Sequence, residues 1–411
     1  MKKVNILVVL PWIPSDLKSG GNQAMFNGLK AVSKDVNLYI TTYVRRNSGK
    51  AKRNIKLFQS MLPEAIFLPY YDKIDCFRKL IDLMYEESNR RFFFTPIERE
   101  ISRMLQFAPK PEAYLQYINK LIETYNISIV QTEMLQNLTI LCSCPSNVKK
   151  LFIHHELGYV RNELFQKKHC DLRVKAPVKI AKAVEIALLN ECDAVMTLSE
   201  VDKEKLKCNG VKCDIHSSFA IVNEVDSLSN RIINGGSKTV SFVGPEGHAP
   251  NKNGLLWFLK ECWPLLQRES ADWKLKIIGN WTGDTKRLLS KNHSNLIFTG
   301  FVKNLYEELK GTTMIVPITI GSGIRMKILE AANNCIPFVT TNVGVEGLPF
   351  EDGKHCFIAD EPKLFSNAVS KLEDIQLRQK FAQEAKNVVD SKYSIEALRH
   401  NRLMIYESIM K

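Results

Sequence analysis

The stretch GSGIRMKILEAANN, residues 321–334, places two cations and one carboxylate directly after a glycine turn. A glycine-rich backbone lets a ligand approach closely, and the N–H groups at the start of a helix favour an anion. The turn consists of Gly321, Ser322 and Gly323. Arg325 and Lys327 add positive charge that suits a diphosphate, and Glu330, one turn further on, suits the hydroxyl groups of a ribose.

The same residues also fit an ordinary capped helix whose lysine and glutamate lie in solvent. The position of the segment favours the ligand, because it follows the apolar run TMIVPI, which reads as a strand. Open parallel α/β sheets bind ligands at the carboxyl ends of their strands. The spacing predicts a helix over 322–334, with Arg325 in its first turn and Ile324, Ile328 and Ala331 on the core face.

Two other glycine turns follow the first strand of each half of the chain. Gly20 and Gly21, in PSDLKSGGNQA, precede a helix predicted to begin near Asn22. The segment FVGPEGHAPNKNG contains Gly244, and its Asn251 and Lys252 also suit a phosphate, although Pro250-Asn251 reads equally as a simple helix start. Glycine turns in two domains indicate one ligand held in a cleft between them.

Strand-like and helix-like runs alternate along most of the chain, which predicts doubly wound parallel sheets. In the first half we predict strands at 4–10, 36–43, 127–133, 148–155 and 193–199, with helices at 22–33, 112–125 and 176–191. In the second half we predict strands at 239–244, 273–279, 295–300, 313–318, 336–341 and 355–359, with helices at about 251–268, 303–310, 322–334 and 361–372. The fold class is therefore α/β, with two Rossmann-like domains.

Residues 72–110 and 220–237 interrupt this alternation. The first stretch reads as a helical insert with a basic-aromatic cluster at 90–94, which suits either core packing or a surface that touches a membrane or an acceptor. The second is polar, contains Gly235-Gly236 and reads as a linker between domains. We therefore expect domains at 1–222 and 223–390, followed by a C-terminal segment at 391–411.

Composition describes a globular protein with an affinity for anions. The net charge is +13, and most of the excess lies in the first 225 residues. The basic residues are dispersed and form no recognisable nucleic-acid module, so nucleic acid is not an expected partner. Ten cysteines form no C-x-x-C pair, which argues against a zinc site, and no D-x-D triplet demands a divalent metal. The first residues read as a strand rather than a signal peptide, so we expect a cytoplasmic protein.

Taken together, these motifs resemble the retaining glycosyltransferases of family 4, the group 1 glycosyltransferases with the GT-B architecture. The resemblance is strongest over 239–360, where SFVGPEGHAPNKNG, LKIIGNW, LIFTGFVKNLYEELKG and GSGIRMKILEAANNCIPFVTTNVGVEGL follow the family's order and spacing. IHHELGYVRN and ECDAVMTLSEVDKEKL in the first half, and the final YSIEALRHNRLMIYESI, are also similar to the family. The resemblance implies a GT-B fold, with two Rossmann-like domains facing a central cleft.

The resemblance also implies roles for individual residues and domains. Residues 321–323 with Arg325 and Lys327 would hold the donor diphosphate, and Glu330 would hold the nucleotide ribose. Gly21 would approach the diphosphate and sugar from the facing domain, and His154, at a strand end, would line the donor-sugar site. Domain 1–222 would bind the acceptor, domain 223–390 the nucleotide sugar, and helix 391–411 would cross back to the first domain.

We therefore expect transfer of a sugar, with retention, from a nucleotide-diphosphate sugar to a glycan or lipid-linked acceptor in cell-surface polysaccharide or glycoconjugate synthesis. No cofactor is required, and a peripheral contact with the inner face of the membrane is expected. One departure from the family matters: Ser322 stands where the E-x7-E pattern has its first glutamate. The alternatives are a nucleotide-sugar epimerase of the same architecture and a non-catalytic nucleotide-sugar-binding subunit.

Overall fold

The computed structural model describes residues 3–17, 19–44, 49–72, 101, 104, 107, 110–169, 171–223 and 238–411. Most of the predicted insert at 72–110, including its cluster at 90–94, and most of the predicted linker at 220–237 lie outside these residues. The chain divides into two compact units. The first comprises 1–220 with 398–411, and the second comprises 221–397.

The first unit is built on a parallel sheet. Its strands are β1 (Asn5–Leu10), β2 (Asn37–Val44), β3 (Ile66–Phe67), β4 (Tyr70–Tyr71), β5 (Ile129–Glu133), β6 (Lys149–His154), β7 (Ala194–Thr197) and β8 (Asp214–Ser217). The strand order is β3-β2-β1-β5-β6-β7-β8, and β4 also pairs with β2. Strands β1, β5, β6 and β7 are buried almost throughout. Burial on both faces explains the apolar runs of β1 and β7, whereas β5 is buried although it ends in Gln131, Thr132 and Glu133.

Helices flank this sheet. They are α1 (Gly20–Val32), α2 (Gly49–Met61), α3 (Glu112–Thr124), α4 (Leu138–Leu141), α5 (Gly158–His169), α6 (Leu172–Leu189) and α7 (Glu200–Cys208). One core forms on the face that carries Leu7, Val130 and Phe152, against Tyr114 of α3. The C-terminal helix also contributes to this unit, because the Tyr406 hydroxyl donates a hydrogen bond to Gln131 Oε1 of β5 at 2.8 Å.

The second unit contains a six-stranded parallel sheet of order β11-β10-β9-β12-β13-β14. Its strands are β9 (Thr239–Val243), β10 (Lys274–Ile278), β11 (Leu296–Gly300), β12 (Thr313–Val316), β13 (Phe338–Thr340) and β14 (Phe357–Ile358). Buried apolar clusters cover both faces of the sheet, one around Phe242, Phe258 and Trp263 and the other around Met314, Ile328 and Phe338. The strand order reverses between β9 and β12, which is where open α/β sheets bind ligands.

The helices of the second unit alternate with its strands. They are α8 (Ala249–Trp257), which continues through a π-helical turn (Phe258–Cys262) into α9 (Trp263–Glu269), then α10 (Gly283–Asn292), α11 (Leu305–Leu309), α12 (Met326–Asn333), α13 (Asn342–Val345), α14 (Pro362–Lys371) and α15 (Ile375–Lys392). The C-terminal helix α16 (Ile395–Met410) lies almost entirely in the first unit. No described helix combines the length and apolar character that crossing a bilayer requires.

The predicted fold class, two parallel-sheet Rossmann-like units, is confirmed, and every predicted strand is present to within about two residues at most of its ends. Two helix starts were wrong. Helix α12 begins at Met326 rather than at residue 322, and α6 begins at Leu172 rather than at residue 176. Helix α1 begins at Gly20, close to the predicted start near Asn22. The first difference has a backbone cause, because Gly321 and Gly323 adopt φ of +133° and +75°, which no α-helix contains.

Candidate functional site

The carboxyl ends of β9 and β12 lie together, and Lys327 joins them. Lys327 belongs to the first turn of α12, which follows β12. Its Nζ donates one hydrogen bond to the Val243 carbonyl oxygen, at the end of β9, at 2.6 Å. A second hydrogen bond runs from Nζ to Asn251 Oδ1 at 2.7 Å. The lysine therefore sits at the point where the strand order reverses, and not on a solvated helix face.

The electrostatic surroundings of Lys327 disfavour its charge. Burial, together with the nearby Arg325 guanidinium, lowers the pKa of Lys327 to about 7, and Glu330 opposes this shift. The ammonium also lies 5.4 Å from the centroid of the Phe242 ring, where a cation is attracted to the aromatic face. An anion bound here would restore the charge, since a neighbouring negative group raises the pKa of an amine.

Arg325 stabilises the glycine turn that precedes it. It is the N-cap residue of α12 rather than a first-turn residue, and its Nη1 donates to the Ser322 carbonyl oxygen at 2.6 Å. A Cβ atom at Gly321 would lie 2.8 Å from Arg325 Nη2, so the guanidinium occupies the space that a side chain there would need. Ser322 itself is buried. The turn and its arginine form one compact unit at the helix start, and the predicted contact of Arg325 with a diphosphate stays a prediction.

Glu330 is partly buried on α12, three residues after Lys327. Residues three apart on a helix are neighbours, which agrees with the electrostatic influence of this carboxylate on the lysine. The Glu330 backbone carbonyl accepts a hydrogen bond from Asn334 Nδ2 at 2.7 Å. Arg325, Lys327 and Glu330 therefore lie within two turns of chain at this edge, as the sequence predicted, and the ribose contact assigned to Glu330 stays a prediction.

Gly244 is packed between its neighbours. Its N–H donates to the Ile278 carbonyl oxygen at 2.9 Å, and its own carbonyl oxygen accepts from Trp281 Nε1 at 2.9 Å. A Cβ at this position would lie 2.5 Å from the Cγ and Nδ2 atoms of Asn251. In the described structure, the glycine therefore makes room for a side-chain amide, whereas the sequence suggested room for a phosphate.

Glu246 holds the loop between β9 and α8 in place. Its carboxylate accepts hydrogen bonds from the Thr282 N–H at 2.8 Å, from Thr285 Oγ1 at 2.7 Å and from Lys252 Nζ at 2.9 Å. Burial alone would raise the pKa of Glu246, but these hydrogen bonds outweigh it and lower the pKa to about 2. Lys252, which the sequence offered as a phosphate ligand, is paired with this carboxylate.

In the first unit, Gly20 and Gly21 are the first two residues of α1. Ser19 caps this helix by accepting a hydrogen bond from the Asn22 N–H at 3.3 Å. Among the described residues, a Cβ at Gly21 would meet Met134 Cε, at an ordinary 3.5 Å. Met134 follows β5 and has φ of +66°, an uncommon value for a side chain of its size. The glycines thus lie at a helix N-terminus close to the carboxyl end of β5.

His154 ends strand β6 and is fully buried. Its Nε2 lies 3.0 Å from Glu185 Oε1, while Nδ1 has no hydrogen-bond partner among the described residues. The same carboxylate accepts hydrogen bonds from the N–H groups of Gly158 at 3.1 Å and Tyr159 at 2.8 Å, at the start of α5. Glu185 therefore fixes both the histidine and the helix that follows it.

Sequence reasoning missed Glu185 and also a second histidine pair. His155 Nε2 lies 2.8 Å from Glu133 Oε2, and this glutamate is completely buried at the end of β5. Glu133 and Glu185 sit in apolar segments, and a charged residue in such a segment is rarely fully buried without a partner. A glutamate within an apolar segment was therefore the signal in the sequence that could have indicated a buried partner. A partner could not be named, because 22 and 31 residues separate the members of the two pairs.

Among the described residues, no group of three or more histidine, cysteine, aspartate or glutamate side chains has a geometry that would hold a metal ion. The thiols of Cys144, Cys192 and Cys213 instead donate to backbone carbonyl oxygens or pack in the core.

Comparison with known proteins gives the class. Residues 237–374, most of the second unit, match the family model of the "Glycosyl transferases group 1". An "Uncharacterized 44.6 kDa protein in cps region" of Klebsiella pneumoniae is 25% identical over 293 residues, 66% of this chain and 72% of that protein.

Solved structures resemble the whole chain. A Staphylococcus aureus TarM mutant, solved with fondaparinux, alpha-GlcNAc-glycerol and UDP, has a TM-score of 0.70 at 12% identity, covering 98% of this chain and 100% of that one. Anabaena Alr3699/HepE with UDP-glucose has a TM-score of 0.67 at 11% identity, covering 98% and 100%. Sucrose-phosphate synthase of Thermosynechococcus elongatus has a TM-score of 0.70 at 11% identity, covering 98% and 99%.

The fold of the chain is therefore GT-B, as the sequence resemblance implied. The stretch that matches the group 1 glycosyltransferase model, residues 237–374 of the second unit, contains Gly244, Lys327 and Glu330. The class that fold and domain support together is a glycosyltransferase of the GT-B type.

Proposed function

We propose that the protein transfers a sugar from a nucleoside-diphosphate sugar to a glycan or lipid-linked acceptor, with retention, in the synthesis of a cell-surface polysaccharide or glycoconjugate. The observation that carries the proposal is the placement of Lys327 at the carboxyl end of β9, beside the glycine turn and Glu330. Two relatives by fold were solved with UDP or UDP-glucose, so a uridine nucleotide is the first donor to examine.

The chemistry needs stabilisation of a leaving group. When the bond from the anomeric carbon to the diphosphate breaks, negative charge develops on the departing phosphate. A preorganised cation or N–H group at that position lowers the barrier by about 3–4 kcal/mol per group. Lys327, Arg325 and the N–H groups at the start of α12 would supply this stabilisation, with Glu330 accepting hydrogen bonds from the ribose. No divalent metal or other cofactor is required in this proposal.

Retention and the acceptor rest on the resemblance and on the relatives. Retention is carried by the resemblance of residues 239–360 to family 4, and no described side chain is assigned as a nucleophile. The polysaccharide role is supported by the relative that belongs to a cps region. The basic charge of the first half of the chain supports a peripheral membrane contact, and co-sedimentation with liposomes that is insensitive to anionic lipid would contradict it.

A second candidate is a subunit that binds a nucleotide sugar without turnover. Ser322 favours it, because this buried residue stands where the family pattern has a carboxylate. Incubation with UDP-sugars and an acceptor extract separates the two functions. Release of UDP that depends on the acceptor supports the transferase, whereas binding without release supports the subunit. An epimerised sugar nucleotide formed without acceptor would indicate an epimerase instead.

The donor site itself is tested by binding of UDP to variants. Lys327→Ala and Glu330→Ala are each expected to weaken the binding of UDP by at least about tenfold, since a hydrogen bond to a charged group contributes about 1.5–3 kcal/mol. Titration calorimetry measures the affinity, and near-ultraviolet circular dichroism checks the fold. Lys303→Ala, at an exposed lysine of the same unit, is the matched control. If both site variants bind UDP as the parent does, the proposed site is wrong.

A further inference from the structure

Asn251 is a buried amide in the first turn of α8 that contacts the lysine of the candidate site. It is 5% exposed, and its Oδ1 accepts the 2.7 Å hydrogen bond from Lys327 Nζ. Its Nδ2 lies 3.5 Å from the Pro245 carbonyl oxygen, in the loop that follows β9. The amide is therefore oriented, with its oxygen towards the lysine and its nitrogen towards the loop.

Gly244 fixes the space in which this amide lies. A Cβ at Gly244 would be 2.5 Å from Asn251 Cγ, closer than any non-bonded carbon pair tolerates. The backbone of Gly244 is held in place by two hydrogen bonds, one from its N–H to the Ile278 carbonyl oxygen and one from Trp281 Nε1 to its own carbonyl oxygen. Gly244 is also not among the described glycines with positive φ, so backbone conformation does not require glycine there. The requirement for glycine comes from Asn251.

In this arrangement, two of the three N–H groups of the Lys327 ammonium have acceptors among the described residues. An ammonium group has three N–H donors. Val243 and Asn251 accept two of them, and no further hydrogen bond of Lys327 Nζ is found within the described residues. The charged groups that act on this ammonium are Arg325, which disfavours its charge, and Glu330, which favours it. From α8 the ammonium meets the neutral Asn251, and from β9 the Val243 carbonyl and the Phe242 ring.

We propose that Asn251 is a positioning residue for Lys327: it holds the ammonium at the carboxyl end of β9 with one N–H left for an oxygen of a diphosphate. Gly244 is glycine because the Asn251 amide needs the volume of its missing side chain. The identity of the anion rests on the proposed function, whereas the arrangement of Gly244, Asn251 and Lys327 does not. Asn251 touches neither the sugar nor the reacting atoms in this proposal.

The arrangement is tested without a ligand by the titration of Lys327, followed by NMR in protein labelled with [13Cε]lysine and assigned with Lys327→Arg. Asn251→Ala is expected to lower the pKa of Lys327, because the ammonium loses an acceptor. Asn251→Asp is expected to raise it, because the ammonium gains a carboxylate. Gly244→Ala should lower it like Asn251→Ala, by displacing the amide. Gly247→Ala, in the same loop, should leave it unchanged, since no described residue beyond its chain neighbours lies within 4 Å of where the added Cβ would be.

A double-variant cycle gives the sharpest outcome. Gly244→Ala should shift the Lys327 titration in the parent but add nothing in the Asn251→Ala background, where the space is already empty. UDP affinity by calorimetry should follow the same pattern, with a loss of about tenfold in each single variant and no further loss in the double variant.

Three results are decisive. An unchanged Lys327 titration in Asn251→Ala, even with a lowered melting temperature, would reduce Asn251 to a packing residue and overturn the proposal. Equal effects of Gly244→Ala in both backgrounds would overturn the explanation of the glycine. If the parent binds no UDP while the titrations behave as expected, the proposed function fails for this nucleotide, and the positioning of Lys327 by Asn251 is supported.

Discussion

Single side chains at the carboxyl edge of the second sheet are held by hydrogen bonds that cross long stretches of sequence. Lys327 reaches back to Val243, and Glu246 reaches forward to Thr282 and Thr285. Such contacts fix the loop between β9 and α8 from both sides. A candidate site assembled in this way is preorganised, so that binding of the proposed donor diphosphate would require little rearrangement of these side chains.

At this residue scale, Glu246 should make the second unit sensitive to acid. Its pKa is lowered from an ordinary 4.5 to about 2, so the stabilisation that its carboxylate gives is present above pH 4.5 and is lost as the pH falls towards 2. Glu246→Gln should therefore have a lower melting temperature than the parent at pH 7. The difference should shrink steadily below pH 4.5.

Scanning calorimetry between pH 7 and pH 3 measures this difference. Glu269→Gln, at an exposed carboxylate that accepts a hydrogen bond from the Ser370 hydroxyl, is the control. A difference between Glu246→Gln and the parent that is independent of pH would contradict the role given to the charged carboxylate.

At the scale of elements, one glutamate ties together three pieces of the first unit. Glu185 on α6 accepts hydrogen bonds from the start of α5 and contacts His154 at the end of β6. Gly158, the first residue of α5, has no room for a side chain, since a Cβ would lie 2.8 Å from Glu185 Oε2 and 2.5 Å from Leu135 Cδ1. The entry of the chain into α5 is set by this contact.

We therefore expect Glu185→Ala to lower the free energy of unfolding of the first unit by at least about 2 kcal/mol, because buried N–H groups lose their acceptor. Glu185→Gln should lose less, since its amide oxygen still accepts. Lys179→Ala, at an exposed position of the same helix, should stay within about 0.5 kcal/mol of the parent. Urea unfolding followed by circular dichroism measures the three variants. Equal stability of Glu185→Ala and Lys179→Ala would refute the role of the carboxylate.

At the scale of the whole molecule, the C-terminal residues pack in the same unit as the N-terminal residues. Residues 398–411 belong to the same compact unit as residues 1–220. Arg402 of α16 is 1% exposed and packs against Gly28 of α1, where a Cβ would lie 2.6 Å from the guanidinium carbon. Arg399 forms an ion pair with Asp35, just beyond α1. The two ends of the chain therefore stabilise one unit together.

This packing predicts that the effect of Gly28→Ala on stability changes sign when Arg402 is removed. Gly28→Ala in the parent should destabilise the first unit by about 1–3 kcal/mol, because the methyl group overpacks against Arg402. In an Arg402→Ala background the same change should stabilise it by up to about 1 kcal/mol, since alanine is the better helix former once space is available. Lys30→Ala, at an exposed position of α1, serves as the control.

Calorimetry can follow the unit separately if the two units unfold in separate transitions. A penalty for Gly28→Ala that is unchanged by Arg402→Ala would show that the C-terminal helix does not set the packing of α1.

Periodicity and strand-end glycines were sufficient for the architecture. Buried strands such as β1 and β12 are nearly continuous apolar runs, and this pattern depends only on local sequence. The short strands β3 and β4 and strand β8 were not predicted, because runs of two to four residues with partly exposed side chains carry no clear period.

The sequence by itself determined the parallel sheets and the gathering of Arg325, Lys327 and Glu330 after β12, because these follow from local pattern and from short spacing along the chain. Only the tertiary structure decided that Lys327 is held by Val243 and Asn251, that Gly244 makes room for an amide, and that Glu185 holds His154. Those contacts join residues between 7 and 84 positions apart. Strand order and burial, which no local pattern encodes, bring them together.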